Sequence, residues 1–176
     1  MCIDTPHHDD AAVNAGKIII IGRTYAASPQ RGAGKASNSK DDFFNEMGKA
    51  LQKSDIDVRL EQIDSSLRFN QAMLPAVVKA HEFLVSLLLE ATRHWAEDGG
   101  TPREQQSFAS KYLHFHRPNA FPIMDGRAKA GLRRHRFRGA YSSYDRFCAG
   151  ILRFAETQPV DWTLRGIDGL LLGANR

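Results

Sequence analysis

Along most of the chain, apolar residues recur every three or four positions, the period of a helix packed on one side. The longest such stretch runs from Ser65 to Asp98, where Leu67, Met73, Leu74, Val77, Val78, Phe83, Leu84, Leu87, Leu88, Ala91 and Trp95 fit one or two core-facing helices. Pro75 divides it, because a proline inside a helix lacks an N–H and clashes with the preceding turn. Upstream, an N-cap candidate at Asp41 opens a helix that runs to Leu51 with Phe43, Phe44, Met47 and Leu51 as its stripe. Asp98-Gly99-Gly100 is a helix stop, and Thr101-Pro102 supplies a cap and a first-turn proline for the next helix. That helix, Pro102 to His116, gathers Phe108, Ala109, Tyr112, Leu113, Phe115 and His116 on one face and Ser107, Ser110, Lys111 and His114 on the other. Pro118 and Pro122 then bracket a turn, after which Asp125 starts a helix reaching about Arg136. Two more follow: Tyr141 to Glu156, and Val160 to Leu172 ended by Gly173.

Two short segments leave the period undecided. Lys17 to Ile21 fits a short strand or the first turns of a buried helix, and in Ser54 to Ile63 the alternation of Ile56, Val58 and Leu60 suggests a strand or extended connection. The expected architecture is a mainly α, single-domain helical bundle over residues 17–176, with room for a short strand or hairpin in its N-terminal half. Residues 1–16 read as a flexible arm, and His7, His8, Asp9 and Asp10 as solvated groups within it.

Composition narrows the class without naming an activity. A chain of 176 residues that is 42% hydrophobic and 25% charged can bury one core. Two cysteines, Cys2 and Cys148, are too few for a disulfide framework, which points to a reducing cytoplasm. The start of the chain has no apolar signal region, and the longest apolar run, Phe83 to Leu89, is far short of a membrane span, so no membrane association is expected. Nor is a cofactor. GAGKAS superficially suggests a phosphate-binding loop, but Pro29 and Ala36 stand where that motif needs a glycine and a Ser or Thr. Zinc lacks a cysteine pair, and His114 and His116, two apart on a helix, point in different directions.

The net charge of +4 is modest, but its distribution is not. Arg127, Lys129, Arg133, Arg134, Arg136 and Arg138 place six permanent cations in twelve residues, with no acid between Asp125 and Asp145. Arg127, Arg134 and Arg138 would share one helical stripe. A solvated helix ordinarily intersperses acids, whereas clustering of one sign is the footprint of a polyanion-binding surface, nucleic acid first. Arg23 and Arg31 lie in a Gly- and Ser-rich stretch, Arg23 to Ser39, read as a surface loop that either touches phosphates or is simply solvated.

Two residues carry candidate chemistry. Lys111 sits on the polar side of an aromatic helix; partly desolvated or near other cations, a lysine can attack as a neutral amine. The alternative is an ordinary surface lysine with its stem over Phe115. Asp125 follows the apolar run of FPIMD and opens a helix, which suits an N-cap and also exposes a carboxylate on a rigid element.

The stretch SFASKYLHFHRPNAFPIMDGRAK, a lysine-bearing aromatic helix leading through a proline turn to an apolar-Pro-apolar-Asp helix start, resembles the later part of helix-hairpin-helix DNA glycosylases. Within that superfamily it is most similar to small bacterial proteins with an 8-oxoguanine-glycosylase fold. The resemblance spans roughly residues 102–135 and implies that Lys111 attacks the sugar C1′ while Asp125 activates it and stabilises positive charge. The glycine-rich hairpin of that family is replaced here by Gln105-Gln106-Ser107-Phe108; Lys111 and Asp125 are 14 apart, and the family's longer spacing would put Ser107 in the lysine's place. Two functional expectations follow. One is a base-excision glycosylase and lyase acting on DNA rather than RNA. The other is a non-catalytic nucleic-acid-binding or interaction module of a bacterial defence or mobile-element system.

Overall fold

The computed structural model describes residues 2, 4–25, 27, 29, 40–64, 66–96, 104–139 and 141–173. Within them lie eight α-helices: α1 (Ala11–Thr24), α2 (Lys40–Gln52), α3 (Ile56–Glu61), α4 (Leu74–Thr92), α5 (Gln106–His116), α6 (Gly126–Arg134), α7 (Tyr144–Ala155) and α8 (Leu164–Leu172), with a 3₁₀ turn over Arg93–Ala96. No strand occurs among the described residues, so the fold is mainly α. Lys17 to Ile21 belongs to α1, and Ile56 to Leu60 to α3 rather than to a strand: Ile56 and Leu60, four apart, are buried while Val58 is 55% exposed. Pro75 occupies the first turn of α4, where its missing N–H costs nothing. The preceding residues do not form a helix, and Leu67, expected in the core, is half exposed. The Asp98 to Pro102 stop-and-cap signal falls outside the described residues, as does most of the Arg23 to Ser39 stretch.

Residues 1–16, read as an arm, include the first six residues of α1 as well as His8, which is 2% exposed. Asp10 caps α1 by accepting the N–H groups of Ala12 and Val13. His8 is tied inward: its Nδ1 lies 2.5 Å from Asp57 Oδ1, its Nε2 2.9 Å from the Tyr112 hydroxyl, and its ring stacks on His116 at 4.6 Å. Cys2 and Cys148 are buried, unpaired thiols. No helix among the described residues is long and apolar enough to cross a membrane.

Two glycines let helices approach closely enough to shape the molecule. A Cβ on Gly48 would sit 2.2 Å from the Ala11 carbonyl oxygen, so α1 crosses α2 there with backbones nearly touching. A Cβ on Gly131 would sit 2.4 Å from the carbonyl oxygen of Leu171, which sets α6 directly against α8. At the centre runs α5, buried without a break from Phe108 to Leu113. Ser110 and Lys111, expected on its polar side, are buried too: the folded turn of residues 117–124 meets Ser110 through Met124, and Tyr25 and Asp125 meet Lys111.

Candidate active site

Asp125 is positioned by that turn, whose backbone groups are met by side chains. The N–H of Met124 donates to Ser110 Oγ at 3.0 Å, and that hydroxyl donates to the Ser107 carbonyl at 2.9 Å. His114 Nδ1 donates to the Phe121 carbonyl at 2.8 Å, and the Tyr144 hydroxyl to the Pro122 carbonyl at 2.8 Å. A carbonyl can only accept, so His114 carries its proton on Nδ1; burial pushes its imidazole pKa down, against the pull of that bond. Three side chains from two helices, α5 and α7, thus clamp the approach to α6, and Ala120, Phe121 and Met124 beneath it are all buried.

The outcome is an ion pair. Lys111 Nζ lies 3.2 Å from Asp125 Oδ2 and donates to the Tyr25 carbonyl at 3.0 Å. Asp125 Oδ1 accepts the N–H of Ala128 at 2.9 Å, so the carboxylate is at once the N-cap of α6 and the partner of the lysine. The lysine side chain is 7% exposed and the aspartate 24%. Desolvation of this degree strengthens their attraction and holds both in one geometry. Ser107 lines the same space, but it is Lys111 that meets the aspartate.

The pair opens into a cleft of about 620 Å³. Its walls bring Thr24 and Tyr25 at the end of α1, Ser107 and Lys111 on α5, and Ile123 to Arg127 at the start of α6 against Asp168 and Leu172 on α8. Asp168 did not stand out in the sequence; the signal was an acid between Ile167 and Leu170 in a helix that is apolar or glycine apart from Arg165. Burial above all, and then the neighbouring Asp125 carboxylate, raise its carboxyl pKa from the ordinary value, with Lys111 pulling the other way.

The six cations are less uniform in the structure than in the sequence. Arg127 is exposed and stands at the cleft. Lys129 is half-buried, and burial, followed by the proximity of Arg133, lowers its amine pKa. Arg134 turns to α8 and donates to the Leu171 carbonyl, capping the end of that helix. The helix stops at Arg134, so Arg138 leaves the expected stripe. Arg136 takes the left-handed conformation, φ 66°, in a Schellman ending: its N–H bonds the Arg133 carbonyl and that of Phe137 the Leu132 carbonyl. Arg133, Arg136 and Arg138 are exposed. Arg23 is not in a loop but in the last turn of α1, exposed, and Arg31 lies outside the described residues.

A second polar group stands inside the core behind α5. Besides His8, Asp57, Tyr112 and His116, it includes Lys17, 1% exposed, whose Nζ donates to the His7 carbonyl at 2.9 Å. Neither ring nitrogen of His116 has a hydrogen-bond partner, and burial above all drives its pKa down to about 3. This group joins the N-terminal segment to the helix that carries Lys111.

Comparison of the chain with protein-family models, with curated proteins and with solved structures finds no match.

Proposed function

We propose that this chain is a base-excision glycosylase with lyase activity on nucleic acid, DNA rather than RNA, in which Lys111 is the nucleophile and Asp125 its partner. The observation that supports this best is the 3.2 Å approach of Lys111 Nζ to Asp125 Oδ2 inside a cleft. The opening of about 620 Å³ leaves room for a substrate group to reach the lysine. In this reading the lysine nitrogen attacks C1′ of an extruded nucleotide, and Asp125, fixed in place by the Ala128 N–H, stabilises the positive charge that develops on the sugar. Arg127 at the cleft, with exposed Arg133, Arg136 and Arg138 farther along, supplies the phosphate contacts.

The test is trapping with borohydride on oligonucleotides carrying 8-oxoguanine, uracil or an abasic site. Wild type should form a covalent adduct, and Lys111→Ala should form none while melting as a folded protein. An adduct that persists in the variant would assign the nucleophile elsewhere. No adduct, with salt-sensitive retention of the same oligonucleotides, would replace this reading by a non-catalytic nucleic-acid-binding module.

A further inference from the structure

The cleft holds two carboxyl groups facing one lysine, and their surroundings differ. Asp125 has both oxygens occupied by donors, the Ala128 N–H and Lys111, which leaves neither oxygen turned to a leaving group. Asp168 faces the same cleft from α8, but its other side borders an apolar crevice lined by Pro122, Ile123, Ile151, Leu164, Ile167 and Leu171. Hydrocarbon on that side disfavours charge, while the cleft side stays open to whatever Lys111 attacks. We propose that Asp168 is the general acid of this cleft, giving its proton to the base nitrogen that leaves C1′ when Lys111 displaces it. This inference rests on the glycosylase reading above.

Lys111 first gives up the ammonium proton of its ion pair to water in the open cleft, and the resulting amine gives its lone pair to C1′. The C1′–N bond breaks, its electron pair leaves with the base, and the Asp168 proton moves to that base nitrogen. The secondary ammonium now joining Lys111 to C1′ returns its proton to the Asp168 carboxylate, which restores the acid. The raised pKa of Asp168 fits this division, since two acids whose surroundings separate them take opposite roles.

Base release and abasic trapping separate the inference from its premise, because a preformed abasic aldehyde has no base to protonate. The measurement compares wild type, Asp168→Asn and Asp168→Glu in single-turnover release from 8-oxoguanine and uracil oligonucleotides, and in borohydride trapping of an abasic oligonucleotide. For Asp168→Asn, the ratio of base release to abasic trapping should fall about a hundredfold, the usual scale of general-acid catalysis. Asp168→Glu should recover most of it. The wild-type release rate should also fall as pH rises through the ionisation of Asp168, a limb that Asp168→Asn lacks. Equal loss of release and trapping, or no loss of release, would overturn the assignment. Trapping of the abasic oligonucleotide by wild type without release of either base would overturn it too, leaving Lys111 standing as a nucleophile. Absence of any adduct with wild type would instead remove the premise.

Discussion

Replacing Asp125 by Asn and by Ala separates two roles that the residue holds at once. Asparagine caps a helix about as well as aspartate, so Asp125→Asn keeps the bond to the Ala128 N–H and loses the charge facing Lys111. Alanine loses both. The expected loss for the Asn variant is about 1.5–3 kcal/mol, the worth of a hydrogen bond to a charged group, and alanine should lose about 1 kcal/mol more for the cap. Urea titration measures each. If the two variants are equally stable, the cap contributes nothing; if the Asn variant forms adduct as fast as wild type, the carboxylate is not required for attack. We expect a drop of about a hundredfold in its rate of adduct formation. A double variant with Lys111→Met should cost less than the sum of its parts, since the two side chains share one interaction.

At the scale of elements, the Schellman ending of α6 breaks a local rule. Glycine takes the left-handed conformation without penalty, whereas an L side chain pays roughly 1–2 kcal/mol, yet Arg136 occupies that position. Arg136→Gly should therefore stabilise the protein by about 1 kcal/mol while weakening its retention on DNA and flattening the salt dependence by about one contact. A variant that is more stable and binds DNA unchanged would show that Arg136 is not a phosphate contact. That conformation was not legible beforehand, because periodicity carries α6 on to Arg136 and says nothing of where the chain turns. Other elements were legible where one face alone is buried, as in α2, whose Phe43, Phe44, Met47 and Leu51 are all in the core. The reading failed where burial comes from two sides. Ser110 and Lys111 look like a polar face, and it is the turn packed on Ser110, and Tyr25 and Asp125 closing on Lys111, that make them interior. Lys111 and Asp125 could be nominated because they flank one local turn. Asp168 could not, since it reaches the cleft through the crossing of α6 and α8 at Gly131, a contact between distant parts of the chain.

For the molecule as a whole, buried histidines set a response to acid. His81, stacked on Tyr144 at 3.7 Å with its Nε2 donating to the Gln106 carbonyl, has its pKa lowered to about 4, chiefly by burial. His116 is lowered to about 3, and His8 and His114 are lowered as well, burial leading in each. An unfolded histidine titrates near pH 6.5. Between that value and the folded one, the unfolded chain binds more protons than the native state, so stability rises with pH and is lost as pH falls. Each fully buried histidine contributes a slope of up to about 1.4 kcal/mol per pH unit. His81 and His116 together thus make the protein markedly weaker at pH 5 than at pH 7, in a window set by 6.5 above and about 4 below. The two can be told apart. Phenylalanine at His116 removes ring nitrogens that bond to nothing while keeping an aromatic surface for His8, so His116→Phe should hold or raise stability at pH 7 and take one histidine's worth of slope away below pH 6.5. Urea midpoints at pH 7, 6 and 5 measure this. An unchanged slope would mean that His116 finds a proton acceptor in the native state, and that the acid response belongs to His81 and the His8–Asp57 contact instead.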